Sequence, residues 1–379
     1  MSKKGRTVAG KAVAGKTVGV FFGGRSNEHE ISVITGMYAV NLLRGAGYKV
    51  LPVYLPRGGG MTAAEKARGV EDFKTPDFPA VRLDGTDVLL QKKGKRLARL
   101  DCALNCCHGG AGEDGTLSAL LDWNKIPTAS PGQAASAVFM HKEYSQIAAR
   151  GLGIPVPRSV CVREGENAEE RAAEYAKELG YPVIVKPVRL GSSIGVKVAR
   201  NSDELKIALD LAFRLDDAAL IEEYFPDKRD LNCAAYRGHG MVRLSEIEEV
   251  FSDGDILSFS EKYEEGSGRK SELPAHITDM VAQKVREYTE KIYIGFDITG
   301  VVRADFLLVG DEVYFNELNT VPGSLACYLF GEKLTDARAF LVSLVEEALA
   351  QTCKEREVLT TGILDRSFFS GRKGKRRLS

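Results

Sequence analysis

VVRADFLLVGDEVYFNELN, residues 301 to 319, reads as two strands joined by a turn at Gly310-Asp311. Side chains alternate across a strand. Arg303 and Asp305 therefore share one face of the first strand, and Glu317 and Asn319 share one face of the second, with Ala304, Phe306 and Leu318 opposite. If the two faces coincide, two carboxylates and an amide oxygen converge beside a guanidinium. Hard oxygen donors of this kind suit Mg²⁺, which binds through one or two carboxylates and completes its shell with nucleotide phosphates. The plain alternative is a solvated sheet face, but acidic groups inside otherwise apolar strands fit it poorly.

Upstream, KPVRLGSSIGV (186 to 196) leaves a buried-type strand, Pro182 to Pro187, through a loop containing Gly191, Ser192, Ser193 and Gly195. Successive amides of such a loop can wrap an anion while Lys186 at the strand end supplies positive charge. Taken alone, the loop is more simply a hairpin turn. Ser202 is expected to cap the next helix, with Asp203 and Glu204 in its first turn.

Nearer the start, Val18 to Phe22 is strand-like, Gly23 and Gly24 make a turn, and Ile31, Ile34, Tyr38 and Leu42 recur at helical spacing. Strand, glycine turn and helix open an α/β unit. Asp101 to Cys106 is again strand-like and leads into a glycine-rich acidic loop, Gly109 to Gly115; a helix from Ser136 to Arg150 is stopped by the prolines of GLGIPVP. GKAVAGKT, Gly10 to Thr17, matches the phosphate-loop pattern, yet it precedes a strand instead of following one, so we treat the match as chance. The expected organisation is a disordered basic leader (1–16), an N-terminal α/β domain (17–140), a central unit (141–230), a C-terminal unit (231–350) and a basic tail (351–379). The long polar segment 251–274 is the expected lid.

Composition narrows the function classes. The 379 residues carry 52 Lys plus Arg against 52 Asp plus Glu, so no global field recruits nucleic acid or a membrane surface. No segment approaches the roughly 20 consecutive apolar residues needed to span a bilayer, and the leader lacks the apolar run of a secretory signal. The expectation is a cytoplasmic protein. Seven cysteines without a Cys-x-x-Cys pair read as reduced thiols instead of a disulfide or metal framework.

The order of the pieces carries a resemblance. FFGGRSNEHEISVITG (21 to 36), HGGAGEDGTLSALL (108 to 121), FMHKEYSQ around Lys142, IVKPVRLGSSIGV (184 to 196), LIEEYF (220 to 225), EKY (261 to 263), RADF (303 to 306) and NELNTVPGS (316 to 324) together resemble the D-alanine:D-alanine ligase family of the ATP-grasp superfamily. The resemblance implies an α/β fold, α+β in its ATP-binding half, with a Rossmann-like parallel-sheet domain at the N-terminus. It implies ATP as co-substrate and two Mg²⁺ (or Mn²⁺) ions. By the same resemblance Lys142 and Lys186 meet the α and β phosphates, Ser192 and Ser193 belong to the closing loop, Glu222 accepts the adenine amino group, and Asp230, where the family usually has glutamate, holds the ribose. Asp305 and Glu317 hold one metal ion, and Glu317 and Asn319 the other.

On the amino-acid side, the resemblance gives Glu28 the ammonium of the first D-alanine and His108 its carboxylate. Lys262 and Tyr263 fall in the lid, where the lysine meets the γ-phosphate and the tyrosine joins Glu28 and Ser192. Arg303 and the amide of Gly323 stabilise the oxyanion. Tyr328 stands where many members have a serine for the second substrate's carboxylate. The implied activity is ligation of two D-alanines through D-alanyl phosphate, for peptidoglycan precursors, by a protein whose relatives are commonly homodimers. Same-fold ligases using D-serine or D-lactate are the nearest alternative, and an inactive nucleotide-binding regulator is a remote one. A dinucleotide-binding oxidoreductase is disfavoured because VGVFFGGRSNE lacks the full G-x-G-x-x-G spacing.

Overall fold

A computed structural model describes residues 15–165, 167–251, 271–351 and 359. Three sheets carry the strands among these residues. The first has seven strands, and only three at one end are parallel: Thr17–Gly23 lies between Lys49–Leu55 and Cys102–Asn105, the last of them at the sheet's edge. The strands from Met61 to Arg99 extend one edge as antiparallel neighbours. The Rossmann-like expectation thus holds for the three-stranded parallel core, and the remainder of the sheet is mixed. Apolar side chains line both faces of that core. Val18, Val20 and Phe22 pack toward the helices His29–Gly45 and Leu334–Ala350, and Phe21, Leu51 and Val53 pack on the other side. Burial on both faces is what a parallel sheet requires.

A four-stranded antiparallel sheet runs in the order Lys197–Ala199, Val183–Pro187, Ala218–Glu223, Ser159–Arg163. It closes a core of its own with the helices Ala168–Leu179 and Ser202–Leu215, through Val183, Val185, Ile221, Leu205, Leu209 and Ala172. The second helix is capped one residue earlier than expected. Asn201, not Ser202, is the N-cap, its Oδ1 accepting from the amides of Asp203 and Glu204 at 3.0 Å each. Either residue type caps well, and the extended backbone of Asn201 decides between them.

The third sheet has five strands, Ser271–Glu272, Met241–Val250, Arg229–Gly238, Val301–Val309 and Glu312–Asn319 in spatial order, all antiparallel. The helix Asp279–Gly295 covers its apolar face, where Phe306, Phe315 and Val302 meet Val285, Ile292 and Tyr293. The opposite face, with Asp305 and Glu317, is turned to the other sheets.

One expected helix is two. Ser136 to Arg150 breaks at His141, whose φ of −94° and ψ of 108° separate Gln133–Met140 from Lys142–Gly151. The break lets the Lys142 amide donate to the carbonyl of Val188 at 2.9 Å, so the side chain of Lys142 starts at a helix end beside the loop after Pro187. In the loop Gly109–Gly115, Gly112 has no room for a side chain. A Cβ at Gly112 would sit 2.2 Å from the carbonyl oxygen of Cys107, a backbone atom that cannot step aside. Gly112→Ala is expected to cost about 2–3 kcal/mol by overpacking, seen as a lower urea midpoint; an unchanged midpoint would mean that the loop is not held as described.

Candidate active site

The ends of the three sheets enclose a cavity of about 530 Å³, within the usual range for a small-molecule site. The hairpin at residues 301 to 319 supplies its floor. In the register of its two strands Arg303 faces Asn319 and Asp305 faces Glu317, so the two faces do coincide. Arg303 donates from Nε and Nη2 to the two Asp305 oxygens, both at 2.7 Å, and Asn319 Nδ2 donates to Asp305 Oδ2 at 3.0 Å. Burial opposes the charge of Arg303, but the adjoining Asp305 carboxylate and its hydrogen bonds hold the guanidinium pKa well above its ordinary value. The pairing continues across the sheet: Asn232 lies opposite Asp305 on one side and opposite Glu248 on the other. Glu248, Asn232, Asp305 and Glu317 thus form one row across four neighbouring strands.

Lys142 and Lys186 enter from the other side of the cavity. Lys142 Nζ donates to the carbonyl of Leu190 at 2.6 Å and stands 3.5 Å from Glu317 Oε2. Lys186 is nearly buried, and its Nζ donates to Glu222 Oε1 at 2.5 Å and to Asn316 Oδ1 at 3.2 Å. Glu222 itself is 1 % exposed and does not line the cavity. Its second oxygen accepts from Gln146 Nε2 at 2.7 Å, so it anchors Lys186 from behind while its neighbour Glu223 reaches the cavity wall. Asn316 is the extra residue of a bulge, since the register shifts between Asp305 and Phe306.

Ser192 and Ser193 turn the loop over the cavity with positive φ, 53° and 57°. Ser192 Oγ donates to Glu28 Oε1. The Glu28 loop is positioned by the first sheet: Ser32 Oγ accepts from the Gly23 amide and donates to the Cys106 carbonyl, both at 2.7 Å, and Ser26 Oγ donates to the carbonyl of His108 at 2.6 Å. His108 is buried, with Nε2 2.9 Å from Thr35 Oγ1. Burial pushes its pKa down to about 4, so at neutral pH its 4.0 Å approach to Glu113 is polar and not an ion pair.

Asp230, which pairs with Lys228, borders the cavity with Gly323 and Tyr328. After Gly323, residues Ser324, Leu325 and Ala326 adopt left-handed backbone conformations in succession, φ 50° to 54°. Non-glycine residues rarely hold that conformation, and such strain concentrates at ligand sites. Tyr328 then reaches back, its hydroxyl donating to Glu248 Oε2 at 3.0 Å. Lys262 and Tyr263 lie outside the described residues, as does most of the expected lid.

Several lining residues were not anticipated, among them Glu113, Asn232, Glu248 and Asn316. Glu113 is a partly buried carboxyl whose pKa is held well above its ordinary value, first by desolvation and then by the like charge of Glu28. Its signal was an acid within a glycine-rich loop. Glu248 sits in IEEV, residues 247 to 250, all four buried in the structure, where a carboxylate asks for a partner.

The donor set fits a hard divalent cation. Among the described residues no group of three or more His, Cys, Asp or Glu side chains could hold a metal. Two facing carboxylates and an amide oxygen suit Mg²⁺, which takes only one or two carboxylates and draws its remaining ligands from phosphates and water.

Comparison with known proteins gives the family. The family model described as D-ala D-ala ligase N-terminus matches residues 17–131, and the one described as D-ala D-ala ligase C-terminus matches residues 149–349. The chain belongs to the D-alanine–D-alanine ligase family. A D-alanine–D-alanine ligase of Thermosipho melanesiensis is 32 % identical over 322 residues, covering 83 % of this chain and 88 % of that one. The crystal structure of D-alanyl-alanine synthetase A from Vibrio cholerae superposes with a TM-score of 0.76 at 26 % identity, over 89 % of this chain and 99 % of the other. A D-Ala:D-Ser ligase from Enterococcus faecalis shares the fold, with a TM-score of 0.72 at 24 % identity over 88 % and 98 %. The ligase family uses the mixed α/β ATP-grasp fold found here. Among the described residues no helix is long and apolar enough to cross a membrane.

Proposed function

We propose that the chain joins two D-alanines into D-alanyl-D-alanine at the expense of ATP, for peptidoglycan precursor synthesis. The observation that carries this reading is the placement of Asp305, Glu317, Arg303 and Asn319 in one cavity with Lys142, Lys186 and the Ser192–Ser193 loop. In this reading Lys142 and Lys186 bind phosphates, Asp230 meets the ribose, and the strand end at Glu223, which lines the cavity where Glu222 does not, receives the adenine. Glu28 holds the ammonium of the first D-alanine, and neutral His108 lies toward its carboxylate. Asp305, Glu317 and Asn319 would hold Mg²⁺, which supplies charge to offset that of the transferring phosphoryl group.

The chemistry sets the remaining roles. A carboxylate is a poor electrophile, so its oxygen first attacks the γ-phosphorus, giving D-alanyl phosphate and ADP. Lys142 and Lys186 stabilise the negative charge spread over the phosphate oxygens. The amine of the second D-alanine then attacks the acyl carbon and phosphate leaves. Arg303 has spent two of its five donors on Asp305, and we assign the others, with the Gly323 amide, to the oxyanion. Lys262 and Tyr263, by resemblance, cover the site and exclude water, which an acyl phosphate requires.

The test is product identity by mass after incubation with ATP, Mg²⁺, D-alanine and equal amounts of D-serine and D-lactate. D-Alanyl-D-alanine is expected as the main product. A product containing only D-serine or only D-lactate at the second position would overturn the acceptor assignment, and ATP binding without any condensation would overturn the enzyme.

A further inference from the structure

We propose that Glu248 is a specificity-determining residue, which makes this site select an amine over a hydroxyl as the attacking group of the second substrate. The inference deepens the ligase reading and rests on it. Glu248 is 2 % exposed, yet it borders the cavity shared with Arg303, Gly323 and Tyr328. It closes the polar row at the end opposite Glu317, three strands away or about 14 Å at ordinary strand spacing, with Asp305 two strands away, and its charge acts with that of Asp305 on the Arg303 guanidinium. Two donors fix its orientation on a single oxygen, Oε2: Tyr328 Oη at 3.0 Å and Asn232 Nδ2 at 3.1 Å.

The direction of those bonds sets the chemistry of the wall. A hydroxyl that gives its hydrogen to Glu248 presents lone pairs to whatever lies beside it, and a carboxylate accepts at several positions. The wall made by Glu248 and Tyr328 is therefore rich in acceptors and negative, whereas Arg303 and the amide of Gly323 are donors. Arg303 and the amide of Gly323 are assigned to the oxyanion, so what a D-amino acid brings to this wall is the N–H bonds of its attacking amine. Held by those N–H bonds, a neutral amine keeps its lone pair for the acyl carbon. A 2-hydroxy acid has one O–H to offer where the neutral amine has two N–H bonds, so the buried anion gains less compensation when it binds.

The experiment is a competition within one tube. Wild type, Glu248→Gln and Tyr328→Phe are each given ATP, Mg²⁺, D-alanine and an equal amount of D-lactate, and the dipeptide and depsipeptide are counted by mass. The ratio is its own control, because loss of folded enzyme scales both products alike. Glu248→Gln is expected to lower the ratio of D-alanyl-D-alanine to D-alanyl-D-lactate about tenfold or more, the effect of losing one charge-assisted hydrogen bond. Tyr328→Phe, which keeps the carboxylate and removes its neighbouring oxygen, moves the ratio the same way and serves where the glutamine variant fails to fold. A ratio unchanged in the folded variants, or moved toward the dipeptide, overturns the proposal. Failure of the ligase reading looks different: wild type then condenses neither acceptor.

Discussion

Glu317→Gln is expected to lower kcat by about two to three orders of magnitude, the loss seen when one preorganised electrostatic contact to a transition state is removed. The change keeps shape and hydrogen-bonding capacity while deleting a charge. Glu317 faces Asp305 across the hairpin and stands 3.5 Å from Lys142, so it belongs both to the oxygen donor set and to the cationic side of the cavity. A neutral amide there leaves the cation with one facing carboxylate instead of two. Turnover is read as acceptor-dependent phosphate release, and Mn²⁺ binding in the presence of an ATP analogue gives an independent readout of the donor set. A Glu317→Gln enzyme with near-normal turnover and metal affinity would place the metal elsewhere.

Arg303→Leu should fail on two counts. The Arg303–Asp305 pair is mostly buried, with side chains 15 % and 16 % exposed, and is bidentate. Removing one partner of such a pair costs about 3–5 kcal/mol because a buried carboxylate is left without compensation. The same change removes the proposed oxyanion donor, worth about two to three further orders of magnitude in kcat. The double variant Arg303→Leu, Asp305→Leu separates the effects. It is expected to recover much of the urea stability, since replacing both partners by apolar groups is often neutral, and none of the activity. A single variant as stable as wild type, or an active double variant, would contradict the geometry. Arg303→Lys keeps the charge but cannot form the two parallel bonds, so it falls between.

The parts legible in the sequence are those with a local period. The hairpin at 301 to 319 was readable because alternation and a turn signal coincide, and its register then brought Arg303, Asp305, Glu317 and Asn319 together as the pattern implied. The bulge that exposes Asn316 was not readable, because one extra residue leaves the apolar pattern almost unchanged. Helical spacing runs continuously through residues 136 to 150; the break at His141 comes from a bond to Val188, almost fifty residues downstream. The antiparallel extension of the first sheet depends on short strands between Met61 and Arg99, too brief to show a period. Glu113 and Glu248 were not singled out in the sequence. Their burial is produced by chain segments remote in sequence, Glu28 beside the first and Tyr328 beside the second. Collinear motifs supplied what periodicity could not, and Lys142, Lys186, Ser192 and Glu28 do border one cavity.

The four-stranded sheet and its two helices keep an apolar interior separate from that of the five-stranded sheet, and Lys186 and the serine loop meet Asp305 and Glu317 only across the cavity. On the proposed reading a nucleotide seated there would touch both bodies, so its binding energy would fall on the seam between them and not on either interior. The ligand then works as a mortise pin: the free energy that recognises the triphosphate also sets how tightly the two halves are joined, and affinity and interdomain rigidity change together.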